Sequence, residues 1–395
     1  MYKLPENTLG WGRAKSCIRE IAAYAAARKA EIGPDKVYDF TIGNPSIPAP
    51  DCVNEAIAEI IKGDSLAVHG YTTAAGLLSL RTKIAADING RFGLNVDPAC
   101  IYVTCGAAAG LTISLRSIMT AGDEVIVAAP FFTEYRVFVE GCGGKLVVIP
   151  PRQDMQIDTE ALKCAINEHT RAMIINTPNN PSGVVFDEEN LKETAAVLRE
   201  AEERLGRPVY LISDEPYREI VHDLDKVPEP LEYYDDSIMV YSFSKCLSVP
   251  GERIGYIAIS DRCEGSYDIA ASVAGAGRCL GYVNPPSLFQ MVIERTLGAT
   301  SDMAQYKKNR DILCEGLGQL GYEFSKPGGA FYLFVKALED DAKAFCERAK
   351  KHELMLVPSD DFGVGGYVRV AYCASEATIR NSMPAWEALM KEYRG

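Results

Sequence analysis

One pattern recurs through the middle of the chain: a short apolar run, then a cluster of small or polar residues, and then residues with helical spacing. Seven apolar runs follow it, and they read CIYVT, EVIVAA, KLVVIP, AMIINT, VYLIS, SIMVYS and RIGYIAIS. Short runs rich in Val, Ile and Tyr are typical of buried strands, and their alternation with helices is typical of a mostly parallel sheet. The pattern therefore predicts an α/β fold.

Helical spacing is clear on either side of this region. Three earlier segments have it and end on glycine, a common helix terminator: GRAKSCIREIAAYAAARKAEIG, PDCVNEAIAEIIKG and GLLSLRTKIAADINGRFG. A further helix is predicted from Glu188 to about Leu205. After about Pro285 the pattern changes to long helices with two apolar runs, AFYLFVK and YVRVAYC. This change indicates a second, smaller α+β unit.

Composition narrows the class of protein. The 395 residues carry a net charge of −13, with no run of Lys and Arg, so a nucleic-acid partner is not expected. No apolar run is long enough for a membrane span, and the first residues lack the apolar core of a signal peptide, so we expect a cytoplasmic protein without a membrane partner. The twelve cysteines include no C-x-x-C spacing and the four histidines are scattered, so no metal site is predicted.

Five of the predicted strands end in a small or polar cluster. These clusters are Cys105-Gly106-Ala107-Ala108, Pro130-Phe131-Phe132, Pro178-Asn179-Asn180-Pro181, Asp214-Glu215-Pro216-Tyr217 and Phe243-Ser244-Lys245. In open α/β sheets, ligands bind outside the carboxyl ends of the strands. We therefore expect the five clusters to meet in one crevice.

Part of this set suits a phosphate group. Gly106, Ala107 and Ala108 open a helix, where free backbone N–H groups can hold an anion. Nearby hydroxyl donors and one guanidinium could contact the same phosphate; they belong to Ser242, Ser244 and Arg253. Taken singly, each feature has a plainer interpretation, a tight strand-to-helix turn for the glycine and a surface salt bridge for the arginine.

The remaining clusters suit a flat heteroaromatic aldehyde. Phe131 or Phe132 could stack on such a ring, and Asp214 could hold a protonated ring nitrogen or cap a helix. Asn180 and Tyr217 could bind a phenolic oxygen, or be turn residues. Lys245 could then form a Schiff base with the aldehyde, although a lone lysine is ordinarily a solvated charge. Together these groups predict a pyridoxal phosphate site.

At this point the motifs resemble the class I/II aminotransferases, the fold-type I pyridoxal phosphate enzymes, and within them an aspartate aminotransferase-like pattern. TPNNPSG is similar to the family's Asn-Pro-Thr/Ser-Gly motif, SDEPY to its Asp-x-x-Tyr motif, and SFSKCLSVPGERIGY to its lysine signature. HGYTTAAGLLSLR and YVRVAYC resemble its Tyr-rich segment and its C-terminal arginine strand. The match is collinear from about residue 38 onward.

The resemblance implies a fold and a domain division. It implies a large domain over residues 46–285, with a mostly parallel seven-stranded sheet between helices. It also implies a smaller α+β domain built from both chain ends, residues 1–45 and 286–395.

The resemblance also implies roles for individual residues, with pyridoxal 5′-phosphate as cofactor. The catalytic residues would be Lys245, which would bond the cofactor and move the proton at the substrate Cα, together with Asp214 and Tyr217. The implied cofactor-binding residues are Gly106, Ala107, Ala108, Phe132, Asn180, Asp214, Tyr217, Ser242, Ser244, Lys245 and Arg253. Tyr71 would reach the phosphate of a neighbouring subunit, which implies a homodimer.

The substrate side is less specific. Arg369 would bind the α-carboxylate of the substrate, with Gly43 and Asn180 nearby. The implied reaction moves the α-amino group of an L-amino acid, aspartate-like or broad in range, to a 2-oxo acid such as 2-oxoglutarate. Arg278 is a candidate for a distal carboxylate, although it lies one residue off the spacing of one aspartate aminotransferase subgroup. The family's frequent Gly-Glu-Pro is Gly43-Asn44-Pro45 here.

Two other functions are compatible with parts of the pattern. Carbon–sulfur β-lyases share these motifs and differ in what leaves the β-carbon. A non-enzymatic regulator that binds the cofactor is the second alternative. Such proteins usually carry a fused DNA-binding domain, whereas the family resemblance here begins close to the first residue. A nicotinamide dehydrogenase would need a G-x-G-x-x-G turn after a strand, which the sequence lacks.

Overall fold

The computed structural model describes residues 4–14 and 16–395 of the chain; residues 1–3 and Lys15, all in the predicted N-terminal part of the small domain, lie outside the described residues. The N-terminal part contains α1 (Glu6–Arg13), α2 (Cys17–Ile32) and a short strand, β1 (Tyr38–Asp39).

The middle part contains the elements of the large sheet and the helices around it. In chain order they are α3 (Asp51–Ile60), α4 (Ser65–His69), α5 (Leu78–Phe92), β2 (Ile101–Thr104), α6 (Gly106–Ile118), β3 (Glu124–Ala128), α7 (Glu134–Gly141), β4 (Lys145–Ile149), α8 (Thr159–Ala165), β5 (Thr170–Asn176), α9 (Glu188–Leu205), β6 (Tyr210–Asp214), α10 (Pro230–Tyr233), β7 (Ser237–Ser242), α11 (Phe243–Cys246), β8 (Gly255–Ile259), α12 (Ser266–Leu280) and α13 (Ser287–Thr296).

The C-terminal part is shorter. Its elements are α14 (Met303–Leu320), β9 (Tyr332–Lys336), α15 (Ala342–Lys350), β10 (Leu354–Met355), β11 (Val357–Pro358), β12 (Tyr367–Ala371) and α16 (Glu376–Arg394).

The seven predicted strands form one sheet in the order β2-β8-β7-β6-β5-β3-β4. All neighbours are parallel except β8, which is antiparallel to both β2 and β7. Six strands therefore run in one direction, and their carboxyl ends lie at the same edge of the sheet. The predicted α/β class and mostly parallel sheet are confirmed.

Helices bury both faces of this sheet. Val125 and Val127 of β3 pack in the core that contains α6 and α12, whereas Ile126 between them packs in the core that contains α8 and α9. Successive side chains of a strand point to opposite faces, so the two cores lie on opposite sides. Burial on both faces explains why the strands read as continuous apolar runs rather than as alternating ones.

The predicted helices are present, with one change at the first. α9 runs from Glu188 to Leu205, because the Asp187 side chain caps its start and Gly206, at φ 65°, ends it. The first predicted helix is wrong at its start: α1 ends at Arg13, Ala14 is extended, and α2 begins only at Cys17. Gly12 and Arg13 of the predicted segment thus belong to α1, and Lys15 lies outside the described residues.

The two chain ends are joined by a strand pair. β1 pairs with β10 in parallel, and β9, β11 and β12 form a separate antiparallel sheet with β12 in the centre. The boundaries at residues 45 and 285 stay predictions. α13, which follows the second boundary, packs against α3 and α5 and buries Val292 in their core.

Among the described residues, no helix combines the length and the apolar character that crossing a bilayer requires. Within the same residues no group of His, Cys, Asp and Glu side chains could hold a metal ion, and all twelve cysteines are free thiols.

Candidate active site

A cavity of about 330 Å³ opens at the carboxyl ends of the sheet strands. Its walls come from the segments after β2, β5, β6 and β7, from the loop after β3, and from β12 and the N-terminal part. The predicted residues that line it are Gly43, Ala107, Ala108, Phe132, Asn180, Asp214, Tyr217, Ser242, Ser244, Lys245, Arg253 and Arg369. The structure thus brings members of all five strand-end clusters together.

Lys245 lies at this edge because α11 begins directly after β7. Its Nζ donates a hydrogen bond to the carbonyl oxygen of Gly43 at 2.8 Å. Burial lowers the pKa of Lys245 to about 8, and the positive charges of Arg253 and Arg369 act in the same direction. A sizeable fraction of the amine is therefore neutral near neutral pH, and a neutral amine can act as a nucleophile or as a base.

Asp214 is the last residue of β6 and is only 4% exposed. Its Oδ2 accepts a hydrogen bond from the hydroxyl of Tyr135 at 2.6 Å, whereas its Oδ1 has no partner among the described residues. Burial raises the pKa of Asp214 to about 7, and the Tyr135 hydrogen bond opposes this shift. A buried carboxylate oxygen without a partner is costly, so a cationic ligand group would be favoured there.

The opposite end of the cavity can hold an anion. α6 begins at Gly106, whose φ is 79°, and a Cβ there would lie 2.7 Å from Nη2 of Arg253. The Arg253 backbone is also left-handed, at φ 53°, and its Nη1 donates to the carbonyl of Pro250 at 2.9 Å. The hydroxyls of Ser242 and Ser244 are 2.7 Å apart. Only glycine leaves room for this arginine beside the free N–H groups of the helix.

Arg369 projects into the cavity from β12 and is 3% exposed. Its Nη1 donates to Asn180 Oδ1 at 3.1 Å and its Nη2 to the carbonyl of Thr41 at 2.6 Å, while its Nε has no partner within the described chain. The oxygens that it contacts are neutral. The positive charge of this buried guanidinium is therefore not neutralised by a carboxylate of the described residues. A ligand carboxylate would provide the missing negative charge.

Aromatic side chains form the remaining walls. The hydroxyls of Tyr217 and Tyr332 are 3.0 Å apart, and a Cβ at Gly43 would lie 1.8 Å from Oη of Tyr332, so glycine is required there. Phe132 meets Tyr135 edge-on, with ring centroids 5.6 Å apart. The half-buried Phe132 ring lines the cavity and can stack on a flat ligand.

Three polar residues of this site were not predicted from the sequence. Asn176 connects two strand ends, because its Oδ1 accepts from the Asn180 N–H at 2.7 Å and its Nδ2 donates to the Asp214 carbonyl at 2.8 Å. The others are Tyr135 and Tyr332. Asn176 could have been predicted as a site residue, because it is the polar end of an apolar run. No local sequence signal distinguishes the two tyrosines from other buried tyrosines.

Two predicted residues lie elsewhere in the described chain. Tyr71 is 97% exposed just after α4, and Arg278 is exposed near the end of α12. Neither lines the cavity of its own chain. Their suggested roles, toward a neighbouring subunit and toward a distal carboxylate, stay predictions.

The side chains that line this cavity suit the chemical groups of pyridoxal phosphate. The unpartnered Asp214 Oδ1 suits a protonated ring nitrogen, and the Gly106–Arg253 cradle suits a phosphate. Lys245, with its lowered pKa, lies in the same cavity and suits an aldehyde.

Comparison with known proteins agrees with this geometry. The family model described as aminotransferase class I and II matches residues 35–384. The aspartate aminotransferase of Thermotoga maritima is 30% identical, with 92% of each chain covered. The probable aspartate aminotransferase of Methanocaldococcus jannaschii is 28% identical over 93% of this chain and 95% of its own.

A solved structure has the same fold along the whole length. The crystal structure of an amino transferase from Eubacterium rectale is 48% identical, covers 100% of both chains and superposes with a TM-score of 0.98. The family match covers most of the chain, and the fold agrees from end to end. The chain therefore belongs to the class I and II aminotransferases.

Proposed function

We propose that this aminotransferase uses pyridoxal 5′-phosphate, held in the cavity described above, to move the α-amino group of an L-amino acid to a 2-oxo acid such as 2-oxoglutarate. One observation carries the proposal. Asp214, whose Oδ1 has no partner among the described residues, and Lys245 line the same cavity, so one ligand with a cationic ring nitrogen and an aldehyde can contact both.

The cofactor would be held along its whole length by groups of this chain. Its phosphate would contact the first N–H groups of α6 and the side chains of Ser242, Ser244 and Arg253. Phe132 would cover one ring face, Asn180 and Tyr217 would contact the phenolic oxygen, and Asp214 the ring nitrogen. When bound, the cofactor supplies an electron sink that lets the Cα–H bond of an amino acid ionise.

The chain's own residues then orient the amino acid and move its proton. Arg369 binds the α-carboxylate as a fork and is itself held by Asn180 and Thr41. Lys245 Nζ removes the Cα proton, because its lowered pKa leaves part of the amine neutral at neutral pH.

The proposal includes a homodimer located in the cytoplasm. Large apolar side chains are exposed in one stretch around Tyr71; they are Ile61, Leu66 and Leu78. Leu66 is 84% exposed. A concentration of exposed apolar side chains is typical of a protein–protein interface. A second copy packed on this stretch would cover it and would bring Tyr71 toward the partner's phosphate site.

A single-turnover experiment tests the reaction. The cofactor-loaded protein is mixed with one L-amino acid without an acceptor, and the 2-oxo acid released is counted per site. We expect about one per site, and more only when a 2-oxo acid is added. Borohydride reduction followed by peptide mass spectrometry should place the cofactor on Lys245, with Lys245→Ala as the control.

Two results would contradict the proposal. Pyruvate and ammonia formed continuously from cystathionine, without an acceptor, would indicate a β-lyase. Failure of reduction to attach the cofactor to Lys245 would remove the central assignment.

A further inference from the structure

The basic side chains of the cavity are few. Within the described parts of the chain three of them line it: Lys245, Arg253 and Arg369. Under the proposed function each has a task, at the reacting carbon, the phosphate and the α-carboxylate. An aspartate or glutamate substrate carries a second carboxylate, and burying it without a cation would be unfavourable. Among the described residues of one chain, no basic side chain of this cavity is therefore left to pair with the second carboxylate of a dicarboxylic substrate.

Two isoleucines, Ile18 and Ile42, are among the apolar side chains that line the same cavity. Ile42 directly precedes Gly43, whose carbonyl accepts the hydrogen bond of Lys245, and it is 54% exposed although it lines the cavity. Ile18, in the first turn of α2, packs against the core that contains Phe362, and the Phe362 ring centroid is 5.4 Å from the Arg369 guanidinium. Both side chains thus line the cavity that also contains Lys245 and Arg369.

Ile18 also lines a second, larger cavity of about 900 Å³. The apolar side chains of that cavity include Trp11, Phe131, Val137 and Val357. A bulky apolar substituent that passes Ile18 would therefore find space and apolar contact.

Charge in the larger cavity does not favour a carboxylate. Among the described residues its lining has three acidic side chains, Glu134, Asp360 and Asp361, against two basic ones, Arg19 and Arg136. Arg136 also lies 3.7 Å from the carboxylate of Glu140.

We propose that Ile18 and Ile42 form an apolar subsite that selects amino donors with a large uncharged side chain over aspartate and glutamate. The proposal rests on the proposed function for the orientation of the substrate. Removing part of either isoleucine reduces apolar contact, and differences of this size change enzyme selectivity by about 10- to 200-fold.

Binding of unreactive carboxylates tests the subsite without turnover. Calorimetry on the cofactor-loaded protein compares 3-phenylpropanoate and 4-methylpentanoate with succinate. We expect the two apolar acids to bind at least about tenfold more tightly, and Ile18→Ala and Ile42→Ala to remove most of this difference. Leu224→Ala, an exposed apolar residue that does not line this cavity, should leave it unchanged. Circular dichroism establishes that each variant is folded.

Turnover provides the second readout. The ratio of kcat/KM for L-phenylalanine or L-leucine to that for L-aspartate should exceed about ten and should fall in Ile18→Ala. The proposed subsite would be wrong if succinate bound as tightly as the apolar acids and if activity with aspartate depended on Arg278. That result would assign the selectivity to a partner subunit. A preserved binding preference without any 2-oxo acid product would support the subsite and overturn the proposed function.

Discussion

The hydroxyl of Tyr135 donates a 2.6 Å hydrogen bond to Asp214 Oδ2, whereas Oδ1 of the same carboxylate has no partner among the described residues, and Asp214 lines the cavity. The hydrogen bond orients the carboxylate, and burial keeps the unpartnered oxygen dry. One side of Asp214 is thus committed to the protein and the other is available to a ligand. This arrangement is costly without a ligand and favourable with a cationic one.

The free-energy cost of burying the ionised Asp214 carboxylate predicts how the stability of the cofactor-free protein depends on pH. Burial raises the pKa of Asp214 from its usual 3.8 to about 7, so its contribution to stability is full below about pH 4 and is lost as the pH rises through 7. Asp214→Asn removes this loss. At pH 8 we expect the variant to be more stable than wild type, by at most on the order of 4 kcal/mol. Urea denaturation at pH 5 and pH 8 measures the difference, which should be smaller at pH 5.

The same substitution should weaken cofactor binding, since it removes the partner of the ring nitrogen. Asp35→Asn changes an exposed carboxylate and should alter stability by less than about 0.5 kcal/mol at either pH. An Asp214→Asn protein that is less stable than wild type at pH 8 would contradict this prediction. It would show that the ionised carboxylate has a stabilising partner that the structure does not show.

The lowered pKa of Lys245 predicts its reactivity. Trace labelling of the cofactor-free protein with acetic anhydride should give a midpoint near pH 8 at Lys245, because burial disfavours the charged amine. Arg369→Leu should move the midpoint upward, since it removes a neighbouring positive charge. Peptide mass spectrometry measures both, with exposed Lys326 as reference in the same digest. Arg380→Leu, on the surface of α16, should not move the midpoint. If Arg380→Leu and Arg369→Leu moved it equally, the lowered pKa of Lys245 would not be due to the nearby charge of Arg369.

The position of Gly106 beside Arg253 predicts that a larger residue there weakens binding of the cofactor's phosphate group. A Cβ at residue 106 would meet the Arg253 guanidinium at 2.7 Å, so Gly106→Ala should displace this arginine. We expect affinity for pyridoxal phosphate to fall by roughly tenfold or more, which corresponds to one charge-assisted hydrogen bond, and affinity for pyridoxal to fall less.

Gly122→Ala is the matched control for Gly106→Ala. Gly122 also has a positive φ, of 93°, but an added Cβ there would have no heavy atom within 4 Å. It should therefore reproduce the backbone strain without the loss of phosphate affinity. Equal losses for the two cofactor forms in Gly106→Ala would indicate general distortion.

A buried charge cluster behind the site predicts an asymmetric effect on stability. Arg218 Nη1 lies 3.1 Å from Glu215 Oε2 and 3.6 Å from Glu229 Oε2. Glu215 Oε1 and Glu229 Oε2 have no hydrogen-bond partner among the described residues, and burial raises the pKa of Glu229 well above its usual value. Arg218 thus faces these two buried carboxyl groups, and its Nε also lies 3.7 Å from Glu219 Oε1, so we infer that the Glu229 carboxyl is protonated.

Removing the cation should therefore cost far more than neutralising that carboxyl. We expect Arg218→Met to lower the free energy of unfolding by about 3–5 kcal/mol, since it leaves a buried charge uncompensated. Glu229→Gln keeps a neutral group of similar shape and should cost less than about 1 kcal/mol. Urea denaturation at pH 7 measures both, and equal costs would show that Glu229 is ionised in the folded protein.

The exposed apolar stretch around Tyr71 predicts self-association. Tyr71→Glu would place a charge in the proposed interface, so we expect the dimer to weaken measurably in sedimentation velocity runs across a concentration series. Leu224→Glu, at another exposed apolar residue, should have no such effect. A wild-type protein that sediments as a monomer at all concentrations would contradict the homodimer and the role of Tyr71 across it.

Complementation tests the shared site directly. Lys245→Ala and Tyr71→Phe proteins, each weakly active, should regain activity when unfolded and refolded together. A mixed dimer contains one site with both intact residues if Tyr71 serves the partner's site. No recovery, with mixed dimers present, would place Tyr71 outside the site.

Much of the fold could be predicted because its signals are local. Each of the seven strands is a short apolar run that the helices bury on both faces, and α9 is delimited by its own caps, Asp187 and Gly206. The start of α2 could not be predicted in this way. The residues before Cys17 have helical spacing, yet Ala14 and Ser16 are extended, and spacing alone does not record such a break.

The sequence by itself determined which elements form and which chemical groups end the strands, since buried strands, helix caps and motif residues are written in neighbouring positions. Only the tertiary structure decided which distant side chains meet. Tyr135 and Asp214 are 79 residues apart, and Tyr217 and Tyr332 are 115 apart. Arg369 reaches Asn180 across 189 residues. Such contacts depend on how helices and strands that are distant in the sequence pack together, and no local periodicity encodes that packing.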